Sequence, residues 1–431
     1  MSAGSTARTI GLPISFSIAL KQVIGGGVIV LTGTAIGLTG AGAWLAYLMA
    51  CAVVLIVSIP YAILGAARPE TGALYRWPAI FIHPVAGFMG FWMVLGTHVA
   101  LAAYAATFGV TLHALLPSIP ARPAGVCCLV LVVGLNLLGT ERSGRVNLAV
   151  VVLVASALAA LAVAGLPTID RRLLLPLLPH GWSGLLSAAA LLTFPLSGAT
   201  LVSELAGEMR RPARDVPVAI LGATALAATI YIAVALVAAS TPGLSAAPGL
   251  DTVARHVMGS AGAWAFGLCT GVVSMIGVMN THMLWGSRSI LMVCEDDWLP
   301  RRLARRNRFG APVFPLCLLG LIGAVPIAAG LDVGDIIRLG GLGAGGSAVL
   351  SIACAPLNAR RDPAAYASSP LAVPVVALLA AACLAIAVQI VTASLLWRSL
   401  TLRLELLWFA WMVAGVTIAL VRQNRFRLQG G

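Results

Sequence analysis

Twelve long apolar runs, separated by short polar joints, constrain this chain more than any other feature. They occupy residues 14–37, 43–66, 84–116, 124–138, 146–166, 184–206, 216–240, 260–293, 313–330, 335–356, 371–394 and 404–421 of the 431-residue sequence. A helix needs about 20 apolar residues to cross the hydrocarbon core of a bilayer. The longest polar stretch, 295–312, is too short for a soluble domain. The first run is long and has no small-residue cleavage site followed by a polar mature domain, so it does not read as a secretory signal. The expectation is an all-α integral membrane protein with twelve spans, framed by tails at 1–13 and 422–431.

Charge supports this reading. Only 10% of the residues are charged and 60% are hydrophobic, whereas an ordinary soluble domain carries about 25% charged residues. That excludes a soluble enzyme, a disordered chain and a nucleic-acid-binding module. The net charge of +13 is a topology signal. With the N-terminus in the cytoplasm, 20 of the 27 basic residues fall on the cytoplasmic side, as the positive-inside rule requires. Both termini are then cytoplasmic, in a multi-pass protein of the cell (inner, cytoplasmic) membrane. Lys21 is the only lysine, and the eight cysteines include no C-x-x-C spacing. The cysteines read as reduced apolar packers; no metal site and no cofactor is expected.

The runs repeat. The first contains Gly25-Gly26-Gly27 near its middle, and the sixth contains Pro195-Leu196-Ser197-Gly198. The third and eighth are both unusually long, as steeply tilted helices are. Each pair lies five runs apart, which predicts a five-plus-five inverted repeat over 14–166 and 184–356, followed by two further helices over 371–421. Matched breaks in two halves are the sequence pointer to a transporter's binding site. Broken turns free backbone groups that are tolerated at membrane depth only against a cavity or ligand. The N-terminus of the following half-helix favours a carboxylate, and the freed carbonyls favour an ammonium or a cation. One broken pair can thus hold both ends of a zwitterion. The bland alternative, that the small residues only allow close packing, is weakened by the matched second break.

The end of the sixth run carries Glu208, Pro212, Arg214, Pro217, Ala219 and Ile220. This pattern resembles the one that ends the sixth helix in the amino acid–polyamine–organocation (APC) permease family, with Arg211 standing where that family has asparagine. Gly25-Gly26-Gly27-Val28 is similar to the family's unwound motif, with Ile29 in place of its aromatic residue. Pro69 to Tyr75 is similar to the loop after helix 2. Asp296-Asp297-Trp298-Leu299-Pro300, with Arg305, Asn307, Gly310 and Pro312, resembles the loop after helix 8. The length and short tails resemble the small bacterial permease and exporter branch.

The resemblance implies a LeuT-type fold and alternating access around helices 1 and 6. It implies a small amino acid substrate, held by Ile24, Gly25, Gly26, Gly27 and Val28 and by Phe194, Leu196, Ser197, Gly198 and Thr200, with Phe194 as an aromatic lid. Side-chain selectivity is expected near Thr97, His98, Ala102, Asn280 and Thr281. Glu208 joins Lys21 and Glu204 as an expected gating residue; Lys21 and Glu204 are expected to approach each other as a cytoplasmic gate pair, the alternative being that each reaches the interface separately.

No acidic residue lies at either break, and Thr200 stands where some members that exchange cationic amino acids carry glutamate. A neutral, aliphatic or small amino acid is therefore favoured. Export of methionine or branched-chain amino acids and exchange of cationic amino acids or polyamines are the alternatives within transport; a sensor without flux is the alternative outside it. For coupling, run 146–166 has no ionisable side chain, so the helix-5 lysine of some family members is absent. His98 and His282 could titrate near neutral pH. Carbonyls around Gly25 with Ser274 or Thr281 could instead hold sodium. No nucleic acid partner is expected, and both a monomer and a homodimer fit. Paired acids, H-E-x-x-H or a nucleophile with its base are not found at membrane depth, so catalysis is not expected.

Overall fold

The computed structural model describes residues 8–241 and 249–427. Every regular element among them is helical, and extended pairing is limited to isolated bridges such as Ile10 with Met209 and Thr71 with Leu205. The first run divides into α1 (Leu12–Val23) and α2 (Gly26–Thr39). Then follow α3 (Ala43–Ala67), a short α4 (Ala73–Phe81), α5 (Pro84–Thr97), α6 (Ala100–Leu115), α7 (Ala121–Leu137), α8 (Thr140–Gly165) and α9 (Gly181–Leu196). The second half contains α10 (Pro212–Pro217), α11 (Ala223–Ser240), α12 (Leu250–Gly267), α13 (Ser274–Glu295), α14 (Val313–Ala328), α15 (Val333–Arg361), α16 (Pro363–Ala367), α17 (Val375–Arg398) and α18 (Leu402–Arg427).

Among the described residues, nine helical stretches are long and apolar enough to cross a membrane, and Leu12–Val23, Ala121–Leu137 and Val313–Ala328 are shorter apolar helices. One of the nine, Leu31–Ala67, has 37 residues, more than a single crossing needs. It turns at Gly40, where φ is 61° and a side chain would stand 2.6 Å from Pro179 Cγ. Only glycine adopts that conformation in that space.

Prolines and short polar caps set the helix starts. Pro13, Pro84 and Pro212 lie in first turns, where a missing N–H costs nothing. Asp332 caps α15 by accepting from Asp335 N at 3.1 Å. The eleventh run was expected at 371–394, but its helix is Val375–Arg398, because Pro374 immediately precedes it. The eighth run begins earlier than its hydropathy suggests: the chain is helical from Leu250, with a kink at Gly259 where φ is 72°.

Two hydrophobic clusters form the interior. One joins α1, α3, α9, α11 and part of α8; the other joins α5, α6, α7, α13 and α14. α15 packs on α5 and α17. α17 and α18 are the least buried of the nine long stretches. In lipid such contacts rest on packing and interhelical hydrogen bonds rather than on water exclusion.

Candidate functional site

The three glycines do interrupt the first run, over a shorter length than expected. α1 ends at Val23, Ile24 leaves the helix with ψ 76°, and Gly25 is extended. Helix resumes at Gly26. The backbones of Gly26, Gly27 and Val28 form the first turn of α2, and the surroundings of their side-chain positions lie outside the described residues. Gly25 offers no side-chain cap to that turn, so the leading N–H groups of α2 receive no bond from a side chain there.

The carbonyls freed by the break are engaged. Tyr231 Oη of α11 donates to Val23 O at 2.9 Å. The Lys21 amine donates to Ile24 O and, at 3.0 Å, to Ser274 Oγ of α13. Lys21 is fully buried, and its stem runs over Gly277, where a Cβ would lie 2.5 Å from Lys21 Cε. The hydrophobic span thus carries an amine held at its own broken turn. The oxygens considered for a sodium ion, a carbonyl beside Gly25 and the Ser274 hydroxyl, both bind this amine.

The second break takes a different form from the one expected. After Pro195 and Leu196 the chain does not unwind; it tightens into a 3₁₀ helix over Ser197–Glu204. Such runs rarely exceed about 3–4 residues. Hydroxyls reinforce it at three-residue spacing, Thr200 Oγ1 to Ser197 O at 3.0 Å and Ser203 Oγ to Thr200 O at 2.7 Å. Gly198 brings it against the first break: a Cβ there would stand 2.6 Å from Gln22 O. Ser197 lines a cleft between α3, α9 and α17 with Thr193, Gln389 and Thr392. Leu196 is buried. The side chain of Phe194, the expected lid, lies outside the described residues.

The expected contact between Lys21 and Glu204 is absent. Glu204 accepts from Leu74 N at 2.6 Å and from Ser289 Oγ at 2.7 Å, while its backbone carbonyl accepts from Gly72 N at 2.9 Å. These bonds clasp the loop after α3 to the end of the 3₁₀ stretch, with Lys21 occupied elsewhere. Glu208 forms a buried bidentate pair with Arg288, at 2.8 Å to Nε and 2.9 Å to Nη2. Arg288 Nη2 also donates to Thr140 Oγ1 at 2.6 Å, and Glu208 O accepts from Ile10 N at 3.1 Å. The N-terminal segment, α8, α13 and the end of the 3₁₀ stretch meet at this pair.

The residues expected to read a substrate side chain are engaged with other helices. Asn280 accepts from Asn136 Nδ2 at 2.8 Å and Ser143 Oγ at 2.6 Å, and donates to Ser143 O at 3.1 Å. Thr281 donates to Asn147 Oδ1 at 2.7 Å. Both therefore face α7 and α8. Thr97 lies against Gly343 of α15 and bonds Met93 O of its own helix. Ala102 is buried in the second cluster. His98 pairs with His282, Nδ1 to Nε2 at 2.9 Å.

Tyr231, Asn147 and the bonding role of Arg288 were not anticipated. Arg288 could have been found as a charge inside an apolar run.

The loop motifs act as clasps. Asp296 accepts from Tyr75 Oη at 2.8 Å and Arg76 Nη2 at 3.0 Å, Trp298 stacks on Phe88 at 4.6 Å, and Asn307 Nδ2 donates to Leu137 O at 2.7 Å. Beside them burial raises the Glu70 carboxyl above its ordinary pKa, against the opposing pull of Arg76 and Arg68.

Comparison with known proteins agrees with this architecture. The family described as "Amino acid permease" matches residues 10–421. An uncharacterized transporter of Mycobacterium tuberculosis (strain ATCC 25618 / H37Rv) is 29% identical over 344 residues, covering 78% of this chain and 77% of the relative. The branched-chain amino acid permease BcaP of Bacillus subtilis (strain 168) is 26% identical over 326 residues, 70% of each chain. The methylthioribose transporter of the same bacterium is 26% identical over 373 residues, 79% of this chain and 78% of the relative. The chain belongs to the amino acid permease family, within the amino acid–polyamine–organocation superfamily.

Proposed function

We propose that this protein is a secondary active transporter of neutral, aliphatic or small amino acids. It works by alternating access in a LeuT-type fold of twelve spans, with repeats over 14–166 and 184–356 and peripheral helices over 371–421. It lies in the cell membrane with both termini cytoplasmic. The observation that carries the reading is the broken turn at Ile24 and Gly25, joined to the 3₁₀ stretch through Gln22 and Gly198. The uncapped start of α2 takes the substrate carboxylate. Carbonyls of the Ser197–Glu204 stretch take the ammonium, with Phe194 closing over them.

A neutral cargo is supported by charge. The basic group at the break is Lys21, and the nearby carboxylates Glu204 and Glu208 are already bonded to Ser289 and Arg288. Among the described residues, a cationic side chain has no free carboxylate to meet there. Branched-chain amino acids, named for one relative, satisfy the same requirement. The Lys21 amine occupies the oxygens considered for sodium, Ile24 O and Ser274 Oγ, so flux is expected without sodium. Glu204 and Glu208 hold the cytoplasmic gate through the loop after α3 and through Arg288.

Uptake of labelled leucine, methionine, arginine and putrescine into proteoliposomes, in sodium and in choline buffers, tests this. Saturable flux of leucine or methionine in both buffers is expected. Binding without flux would identify a sensor, and preferred flux of arginine or putrescine would overturn the neutral assignment.

A further inference from the structure

His98 and His282 are buried, lie 184 positions apart in sequence, and share one hydrogen bond of 2.9 Å. Their rings meet edge to face at 77°. Among the described residues the outer nitrogens, His98 Nε2 and His282 Nδ1, have no partner, and neither does the adjacent Trp285 Nε1. A buried polar atom left unpaired costs about 1–3 kcal/mol, and these two outer ends are not committed to a partner among the described residues. The site is nonetheless shaped for the rings. Gly286 gives His98 its shelf, since a Cβ there would stand 2.6 Å from Cε1, and Trp285 lies 5.3 Å and 4.4 Å from the two rings. His98 also occupies an interruption: α5 ends at Thr97 and α6 begins at Ala100.

Charge does not explain the pair. Tyr104 of α6 lies 5.9 Å from His282. On α13, Ser274 binds Lys21 and Arg288 binds Glu208, so the cations at either side are committed. Packed on α6 or α13, α7 and α14 carry only the thiols Cys127, Cys128 and Cys317 besides Arg122 at the start of α7. Of the charges on the other neighbours, Asp335 pairs with Arg338 on α15 and Glu141 with Arg145 on α8. Arg360 and Arg361 end α15, and Arg142 lies in the first turn of α8 over Phe309.

We propose that His98 and His282 form a proton-transfer site at the interruption between α5 and α6, and that proton movement through it is linked to the transport cycle. In a neutral pair one facing nitrogen carries the shared proton. If this is His98 Nδ1, then His98 Nε2 is bare and His282 Nδ1 carries hydrogen. A proton from water adds at His98 Nε2, the shared proton passes from His98 Nδ1 to His282 Nε2, and the proton on His282 Nδ1 leaves. One proton has crossed and the pair is neutral with reversed polarity; the opposite tautomer runs the same steps in reverse. The unpaired outer nitrogens are the entry and exit that this requires. Both are sealed in this structure, so water reaches them only when α5, α6 and α13 move apart.

This proposal rests on the transport reading, and two measurements separate them. Proteoliposomes containing a pH-sensitive dye report proton movement during leucine uptake, while leucine counterflow at equal pH reports transport alone. The wild type is expected to do both. His282→Gln is expected to lower proton movement per leucine by about tenfold or more while counterflow persists, and His98→Gln to lower proton movement likewise. Absent counterflow in the wild type would refute the transport reading. Counterflow without proton movement in the wild type, or unchanged proton coupling in both variants, would refute the relay alone. Should the variants fail to fold, ¹⁵N-imidazole NMR of the wild type in nanodiscs decides. Exchange of the two rings between tautomers supports the relay; two rings each static in one tautomer overturn it.

Discussion

Replacing Arg288 by methionine gives the sharpest energetic consequence of the architecture. The guanidinium makes four bonds, two to Glu208 at 2.8 and 2.9 Å, one to Thr140 Oγ1 at 2.6 Å and one to Ser287 Oγ at 2.8 Å. The paired side chains are only 5% and 9% exposed. Methionine retains most of the volume and removes every donor, leaving the Glu208 carboxylate buried without a counter-charge. Breaking one side of a buried pair costs about 3–5 kcal/mol. The exposed pair Glu141–Arg145, at 3.4 Å and 57% and 64% exposed, is an internal control, because helix pairs of that kind contribute about 0.3–0.5 kcal/mol. Chemical denaturation in mixed micelles should therefore separate Arg288→Met from Arg145→Met by roughly tenfold in energy. Combining Arg288→Met with Glu208→Leu should recover most of the loss, since both charges then leave together. A cost below about 1 kcal/mol for Arg288→Met, or a double variant as unstable as the single, would show that the pair does not bind the N-terminal segment, α8 and α13 together as described.

Three further consequences follow from the same contacts. Gly198→Ala places a methyl 2.6 Å from Gln22 O; overpacking of about 1–3 kcal/mol should cut leucine flux by about tenfold or more, and unchanged flux would contradict the close approach of the two breaks. Asn280→Ala removes the bonds from Asn136 Nδ2 and Ser143 Oγ and the one to Ser143 O, while Asn136 Nδ2 keeps Val132 O and Ser143 Oγ keeps Asn136 Oδ1; stability should fall by about 1–3 kcal/mol with the preference of leucine over arginine intact, and an altered preference would return Asn280 to the substrate site. Glu70 has a raised folded-state pKa, so its contribution to stability is complete below the ordinary carboxylate value and is lost as pH rises through the raised one. Glu70→Gln should therefore raise the melting midpoint at neutral pH and lose that advantage in acid; an equal gain at both pH values would contradict the burial of Glu70.

The apolar helices were legible in the sequence because hydropathy is a one-dimensional signal, and the first break was legible because glycine acts locally. The orientation of side chains was not. Asn280 and Thr281 were assigned to the substrate but face α7 and α8, because α13 is buried nearly all round from Ser274 to Cys294. A helix without a polar stripe gives no clue to its rotation. The 3₁₀ form of the second break was hidden for a related reason: Pro195 and Gly198 mark an irregularity without specifying whether the chain loosens or tightens. Lys21 was recognised as unusual, but its acceptor Ser274 lies 253 positions away, a distance over which no local pattern reaches.

The central claim is that the broken turn at Ile24 and Gly25 and the 3₁₀ stretch against it together hold the two ends of a zwitterion beside the Lys21 amine. Competition against labelled leucine in purified protein tests it most directly, using leucine, isopentylamine (leucine without its carboxylate) and arginine as competitors. The account predicts displacement by leucine, with isopentylamine and arginine weaker by about a hundredfold or more, the equivalent of one lost charged contact of roughly 3 kcal/mol. Displacement by isopentylamine or arginine as strong as that by leucine would contradict it.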